Sequence, residues 1–229
     1  GSTGDPKGVE LSHRAILAQI VMLQEKLSLT SRDCFVNWMP MSHDFGLFQF
    51  HILPLLSGVP QVLMATDDFA RHPVSWLRLI QDHRGTITGA PNLALQMVNN
   101  LLKPQRAAQL DLNLLRCIVL GAEPLDPSVL RTFADKLKPS GFNSAALTPA
   151  FGLAEATLVI TMVSGLQTVH VARRSLEIGE TITPLGPKDP EAVELPLLGK
   201  PLKDAVLRIV DENEVSLPTD TVGHLQVRC

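Results

Sequence analysis

Between residues 9 and about 165 the chain alternates apolar runs of strand length with amphipathic stretches at helical spacing. That alternation allows few folds. Strand, helix and next strand bury their apolar faces together when the strands lie parallel and the helices cover the sheet. The pattern predicts helices over 13–27, 45–56, 73–84, 91–102 and 127–137, and strands over 34–39, 61–65, 85–89, 115–120 and 145–148. Ser12 is placed to cap the first helix, where Ile16, Ile20, Leu23 and Leu27 share a face, and Pro73 suits a first helical turn. The expected class is α/β, a largely parallel sheet with flanking helices. In open sheets of this kind ligands bind beyond the carboxyl ends of the strands. The loops 40–46, 89–92, 121–124 and 149–155 follow predicted strands, with 149–155 closing through a turn at Phe151-Gly152, so one shared site is expected.

After residue 165 the texture changes. Residues 181–201 hold five of the 17 prolines, which reads as a surface insertion or linker, and 205–210 and 223–228 read as strands. This predicts three segments: an α/β core over 1–165, an insertion over 166–200, and the start of a β-rich subdomain over 201–229. The chain opens in a loop with no strand ahead of it and stops inside an expected strand, so a piece of a longer polypeptide is expected.

Composition removes several classes of function. With 229 residues, 45% hydrophobic, 19% charged and a net charge of −3, the chain is too apolar and too weakly charged for disorder. No Lys/Arg block marks a nucleic-acid or anionic-membrane partner. No apolar run reaches the roughly 18–20 residues of a membrane span; the richest, 45–56, is interrupted by Gln49, His51 and Pro54. Cys34, Cys117 and Cys229 are odd in number and lack metal-ligand spacing. With no signal peptide, a cytoplasmic protein is expected.

Four loops carry chemistry. Gly1-Ser2-Thr3-Gly4-Asp5-Pro6-Lys7-Gly8 combines small residues, two hydroxyls and a lysine ahead of a helix, a pattern that can wrap phosphate oxygens. It departs from GxxxxGK[ST], and an ordinary Gly/Pro turn is the plain alternative. In Pro40-Met41-Ser42-His43-Asp44-Phe45-Gly46, His43 can bond or gate a substrate while Asp44 can cap the next helix; with no Gly-x-Ser-x-Gly elbow, a hydrolytic triad is not expected. Gly121-Ala122-Glu123-Pro124 ends an apolar strand and offers bare backbone to a planar ring. In Phe151-Gly152-Leu153-Ala154-Glu155, Phe151 can stack on a base and Glu155 can hold Mg2+. A satisfied His, a core Phe and a solvated Glu are the structural alternatives.

Taken together, these motifs resemble the adenylate-forming superfamily of acyl-CoA synthetases, peptide-synthetase adenylation domains and luciferases. Residues 1–9 are similar to its phosphate loop, and 151–155 to its Tyr-Gly-x-Thr-Glu motif. The fatty-acyl-AMP ligase branch is closer. It shares Pro-x-x-His-Asp-x-Gly-Leu (40–47), Gly-x-Pro-Asn (89–92), Gly-Ala-Glu-Pro (121–124) and Tyr-Gly-Leu-Ala-Glu-Ala-Thr (151–157, with Phe for Tyr), and its insertion resembles 166–198.

The resemblance implies an AMP-forming acid–thiol ligase. A carboxylic acid, expected to be a fatty acid, reacts with ATP to give acyl-AMP and pyrophosphate. The acyl group then passes to the phosphopantetheine thiol of an acyl carrier protein, or to CoA, in polyketide, peptide or lipid biosynthesis. By motif, Ser2, Thr3, Gly4 and Lys7 hold phosphates, and Gly121, Ala122, Glu123 and Phe151 frame the adenine with Gly152, Leu153 and Ala154. His43 sits at the carboxylate, Gly89 and Asn92 lie toward the acyl tail, and Glu155 ligates Mg2+; His43, Glu155 and Lys7 are the expected catalytic groups. Ala154 stands in place of Thr and Phe151 in place of Tyr, which removes two hydroxyls. The family's ribose-binding Asp and catalytic Lys fall beyond Cys229, so little turnover is expected of these 229 residues alone. Asp44 lies where amino-acid-activating domains pair an Asp with the substrate ammonium, which keeps an amino or hydroxy acid as an alternative. A non-catalytic nucleotide-binding module is a further one.

Overall fold

The computed structural model describes residues 8–228. The phosphate-loop candidates Ser2, Thr3, Gly4 and Lys7 lie outside the described residues.

Helix α1 (His13–Leu27) begins as expected, with the Ser12 hydroxyl accepting the Ala15 N–H at 3.1 Å. That bond satisfies one of the donors a helix leaves open at its start. Ile20, Leu23 and Leu27 are buried along one face, and Ile16 packs against the same core. Each fully buried side chain of this kind contributes roughly 1.5–3 kcal/mol by leaving water.

The strands β1 (Phe35–Asn37), β2 (Gln61–Leu63), β3 (Ile87–Ala90), β4 (Cys117–Leu120) and β5 (Leu147–Gly152) are parallel and lie in the order β2-β1-β3-β4-β5. Between them come α2 (Leu53–Ser57), α3 (Thr66–Arg71), α4 (Pro73–Asp82), α5 (Asn92–Leu101), α6 (Pro104–Ala107) and α7 (Pro127–Leu137). The α4 and α7 helices open on proline, whose missing N–H costs nothing at that position. Trp76 on α4 is fully buried; its Nε1 donates to the Thr88 hydroxyl at 3.0 Å, which donates to the Val36 carbonyl at 2.6 Å. This relay satisfies three buried polar groups while joining α4, β3 and β1.

Two expectations are corrected. The single helix over 45–56 is a π-helical segment, Phe45–Ile52, running into α2. Pro54 has no N–H to offer the Phe50 carbonyl and would crowd it in an α-helix; the wider turn, with Leu53 N–H bonded to the Phe48 carbonyl, relieves that conflict. The strand expected over 145–148 begins after a 3-10 turn at Ser144–Ala146, and β5 continues through Phe151 and Gly152, where a turn was expected. The chain reverses after them, with the Leu153 N–H on the Leu158 carbonyl at 2.9 Å. It returns as β6 (Val159–Met162), antiparallel to β5. A Cβ at Gly152 would stand 1.8 Å from that same carbonyl, so only glycine fits the reversal.

Within the expected insertion, β7 (Thr168–Ala172) and β8 (Ala192–Pro196) form an antiparallel hairpin, and β9 (Lys200–Pro201) joins the main sheet beside β6. Arg131 of α7 grips Glu194 of β8 through both terminal nitrogens, at 2.8 and 2.5 Å; this contact is the main reason the Glu194 pKa falls to about 2. The last two expected strands are present as β10 (Val206–Val210) and β11 (His224–Arg228), paired antiparallel.

Asp33, just ahead of β1, is buried and accepts bonds from Arg116 Nε, the Thr86 hydroxyl and the Thr30 N–H, each at 2.8 Å. It ties the amino ends of β1, β3 and β4 together. Nearby, burial pushes the Cys117 thiol up to about 11. Iodoacetamide at pH 8 is therefore expected to leave Cys117 unmodified in the native protein and to label it in urea, as read by peptide mass mapping; labelling without denaturant would show that β4 opens. Among the described residues no helix is long and apolar enough to cross a membrane.

Candidate active site

Because five strands are parallel, their carboxyl ends share one edge of the sheet, and a cleft of about 220 Å³ opens there. His43, Asp44 and Phe45 enter it from the loop after β1. Gly121 and Ala122 come from the end of β4, and Ala150, Phe151 and Gly152 from the end of β5. Leu158 and Val159 close it at the start of β6. Of the residues expected at a nucleotide site, His43, Asp44, Gly121, Ala122, Phe151 and Gly152 are thus brought together across more than 100 positions of sequence.

The backbone is strained here. Ala122 has φ +69°, a region alanine avoids, and Thr157, just past the reversal, has φ +72°, where a β-branched residue is a true outlier. Each costs on the order of 1–2 kcal/mol, and such residues cluster at functional sites. At Gly121 a Cβ would press to 3.1 Å against the Ala150 carbonyl, so glycine lets the β4 end lie close to β5.

His43 and Asp44 form an orienting pair. His43 Nδ1 is 2.7 Å from Asp44 Oδ1, and Asp44 Oδ1 also accepts the Phe45 N–H at 2.7 Å. The same Phe45 N–H also reaches His43 Nδ1 at 3.1 Å, so Nδ1 is occupied within this cluster. Nε2 is then the ring nitrogen free to meet a ligand. Asp44 is the cap of the π-helical segment, as one sequence reading expected.

Glu155 does not line this cleft. It is exposed and lies in an adjoining groove of about 500 Å³ with Glu10, Ser12 and Thr157; Val159 lines both spaces. Gln19 also lines that groove, and its amide nitrogen is buried without a partner among the described residues. Leu153 and Ala154 are half-buried in the reversal, their carbonyls accepting the Ala156 and Thr157 N–H groups at 3.0 Å. Glu123 is turned away, its carboxylate accepting the Leu93 N–H at 2.6 Å at the start of α5. Asn92 accepts the Asp126 N–H at 2.9 Å, and Gly89 is buried; neither lines the cleft.

Phe45 and Ala150 fall within the expected loops 40–46 and 149–155, though neither was singled out, whereas Leu158 and Val159 were not anticipated as lining residues. These two became visible only with the β5–β6 reversal, for which no Gly/Pro/Asn cluster exists in 153–158. Gln49 is wholly buried on the π-helical segment, with both amide atoms unpartnered among the described residues.

The family profile of AMP-binding enzymes matches residues 1–229. The chain belongs to that family. Within it, a medium-chain-fatty-acid–[acyl-carrier-protein] ligase of Moorena producens is 37% identical over 161 residues, 70% of this chain and 27% of the relative. Among solved structures, a fatty acid AMP ligase from Legionella pneumophila superposes with a TM-score of 0.94 at 28% identity, covering 100% of this chain and 40% of that one. The adenylation domain of a keto acid-selecting peptide-synthetase module, bound to keto acyl adenylate, gives a TM-score of 0.92 at 30% identity over 99% of this chain and 44% of that one. The mostly parallel sheet with flanking helices is therefore the AMP-binding fold. The chain spans about two fifths of the length of the first curated relatives it matches, 42% and 38%.

Proposed function

We propose that this AMP-binding chain carries the acid-activating site of an ATP-dependent acid–thiol ligase. In the first step a carboxylate oxygen attacks the α-phosphorus of ATP, the bond to the bridging oxygen breaks, and pyrophosphate leaves. In the second a phosphopantetheine thiol attacks the acyl carbonyl, the acyl–phosphate oxygen bond breaks, and AMP leaves with the thiol proton lost to solvent. The observation that carries the reading is the convergence of His43, the Gly121–Ala122 edge and Phe151–Gly152 on one cleft at the carboxyl ends of the strands. The Moorena relative is a medium-chain-fatty-acid–[acyl-carrier-protein] ligase, which supports a carrier protein as acceptor.

In this reading Phe151 and the backbone of Gly121, Ala122 and Glu123 hold the base, and Ser2, Thr3, Gly4 and Lys7 hold the β- and γ-phosphates. Carrying a proton, His43 Nε2 donates to the oxygens that gather charge as the carboxylate attacks; donors placed before the reaction need not reorganise. Leu153 and Ala154 shape the turn that presents Glu155. Among the described residues no three His, Cys, Asp or Glu side chains cluster as a metal site. One exposed carboxylate suits Mg2+ shared with substrate phosphates, because Mg2+ keeps few protein ligands. Bound there, the ion would neutralise charge on the leaving pyrophosphate.

Asp44 bears on the acid. Its carboxylate is already engaged by the Phe45 N–H and His43, which argues against its serving as the partner of a substrate ammonium. In acid-dependent ATP–pyrophosphate exchange by the full-length protein, acids without an amine are expected to react, and a phosphopantetheinylated carrier protein should be acylated in preference to CoA. Asp44→Ala is expected to lower stability by about 1 kcal/mol through the lost cap without conferring or removing activity on amino acids. ATP binding with no exchange for any acid would refute the proposal.

A further inference from the structure

Helix α1 is apolar on more than its core face. Ile20, Leu23 and Leu27 are buried against the sheet, yet Leu17 and Val21, one turn apart on the outward side, are 53% and 52% exposed. A helix at a finished protein surface turns an apolar stripe inward and a polar one outward. Here two grooves run along α1 and share Ser12, Ala15, Ala18 and Met22. One is the groove of about 500 Å³ that holds Glu155; the other, of about 740 Å³, is lined by Leu17 and Val21. Gln19 lines the first and is only 2% exposed, and its amide nitrogen has no acceptor among the described residues. A buried donor left unpaired is costly, so this one calls for an acceptor from outside the described core.

We infer that α1 is an internal docking face: in the full-length protein, polypeptide outside residues 1–229 packs along it, covers Leu17 and Val21, and offers a backbone carbonyl to the Gln19 amide. Three observations select that occupant. This core makes up about two fifths of the relatives on which it superposes or aligns from end to end, so proteins built on it carry more chain than the core itself. The charged groups of the larger groove are two of each sign, Arg14 and Lys203 against Glu25 and Asp204, which gives neither a charged partner nor an anionic membrane a handle. Two half-exposed aliphatic side chains with an alanine between them fall far short of the roughly 800 Å² per partner that a stable dimer buries. A segment of the same polypeptide needs no such area, because the covalent link already holds it at high effective concentration. The inference is independent of the acid-activation reading.

The test is photocrosslinking of the full-length protein with a benzophenone amino acid in place of Glu25, on the rim of the larger groove. The expected product migrates at monomer mass, and peptide mapping should join position 25 to a peptide outside residues 1–229. A crosslinked dimer would assign the face to a second copy and overturn the inference. A crosslink confined to residues 1–229, or none at all, would overturn it equally. Leu17→Glu in the full-length protein gives a second reading, since Glu forms helix about as well as Leu and costs little where the position faces water. With the face covered, the variant buries a charge and its melting temperature should fall by at least about 3 °C. A melting temperature within about 1 °C of wild type would overturn the inference, and should the variant fail to fold, the crosslink decides alone.

Discussion

Glu155→Ala is expected to lower acid-dependent pyrophosphate exchange by the full-length protein about 100-fold, because removing one preorganised stabiliser of transition-state charge typically costs that much or more. The carboxylate is exposed and accepts no hydrogen bond from a described residue, so fold and melting temperature should be preserved. Its position in the groove beside the cleft, with Val159 common to both, puts it where a phosphate chain leaving the base site can pass. If its partner is Mg2+, the variant should also need a higher Mg2+ concentration to reach half its maximal rate. Exchange within threefold of wild type would remove Glu155 from the proposed machinery.

The second large effect lies at the opposite edge of the sheet. Asp33→Asn is expected to destabilise the protein by about 3 kcal/mol, at the lower end for breaking a buried ion pair because Arg116 still reaches water. Burial alone raises the Asp33 pKa, but the bonds from Arg116, the Thr30 N–H and Thr86, with the Arg116 charge, outweigh it and bring the pKa down to about 2 from 3.8. A carboxyl depressed in the native state contributes stability that is present above its unfolded pKa and disappears as pH falls through the native one. The loss is expected between about pH 4 and 2 and amounts to about 2 kcal/mol. Urea midpoints across that range should slope for wild type and flatten for Asp33→Asn. Hydrogen exchange at Thr86 and Arg116, whose N–H groups bond across the strand starts, should quicken in the variant. A midpoint shift worth less than about 1 kcal/mol would show that the three strand ends are held by packing alone.

The two edges differ in how far they could be read in advance. The loops at the carboxyl ends carried residues with a chemical signature, such as His43 beside Asp44 and the glycine-rich turns, and the alternation of elements said that such loops must share an edge. Asp33 and Arg116 had no signature. They are 83 residues apart, and each alone reads as a solvated charge. Elements opening on a cap or a proline were anticipated nearly to the residue, as at Ser12, Pro73 and Pro127, because those signals act within one turn of chain. The π-helical segment was not, since its widening answers to Pro54 and to the packing of Phe45 and Phe50. Nor was β6, a short strand that follows the reversal with no turn-forming residues to announce it. Gly89 shows the same limit at a single residue. The resemblance put it toward an acyl tail, whereas the space beside its missing side chain is taken by the Phe50 ring.

Residue order alone determined the α/β class, the direction of the five parallel strands and the group of loops that had to meet, because helix and strand periods and caps are local properties of the chain. Tertiary structure alone decided which side chains face the cleft, which are spent on caps, and what space remains between His43, Phe45 and Phe151, because those depend on contacts between segments tens of residues apart.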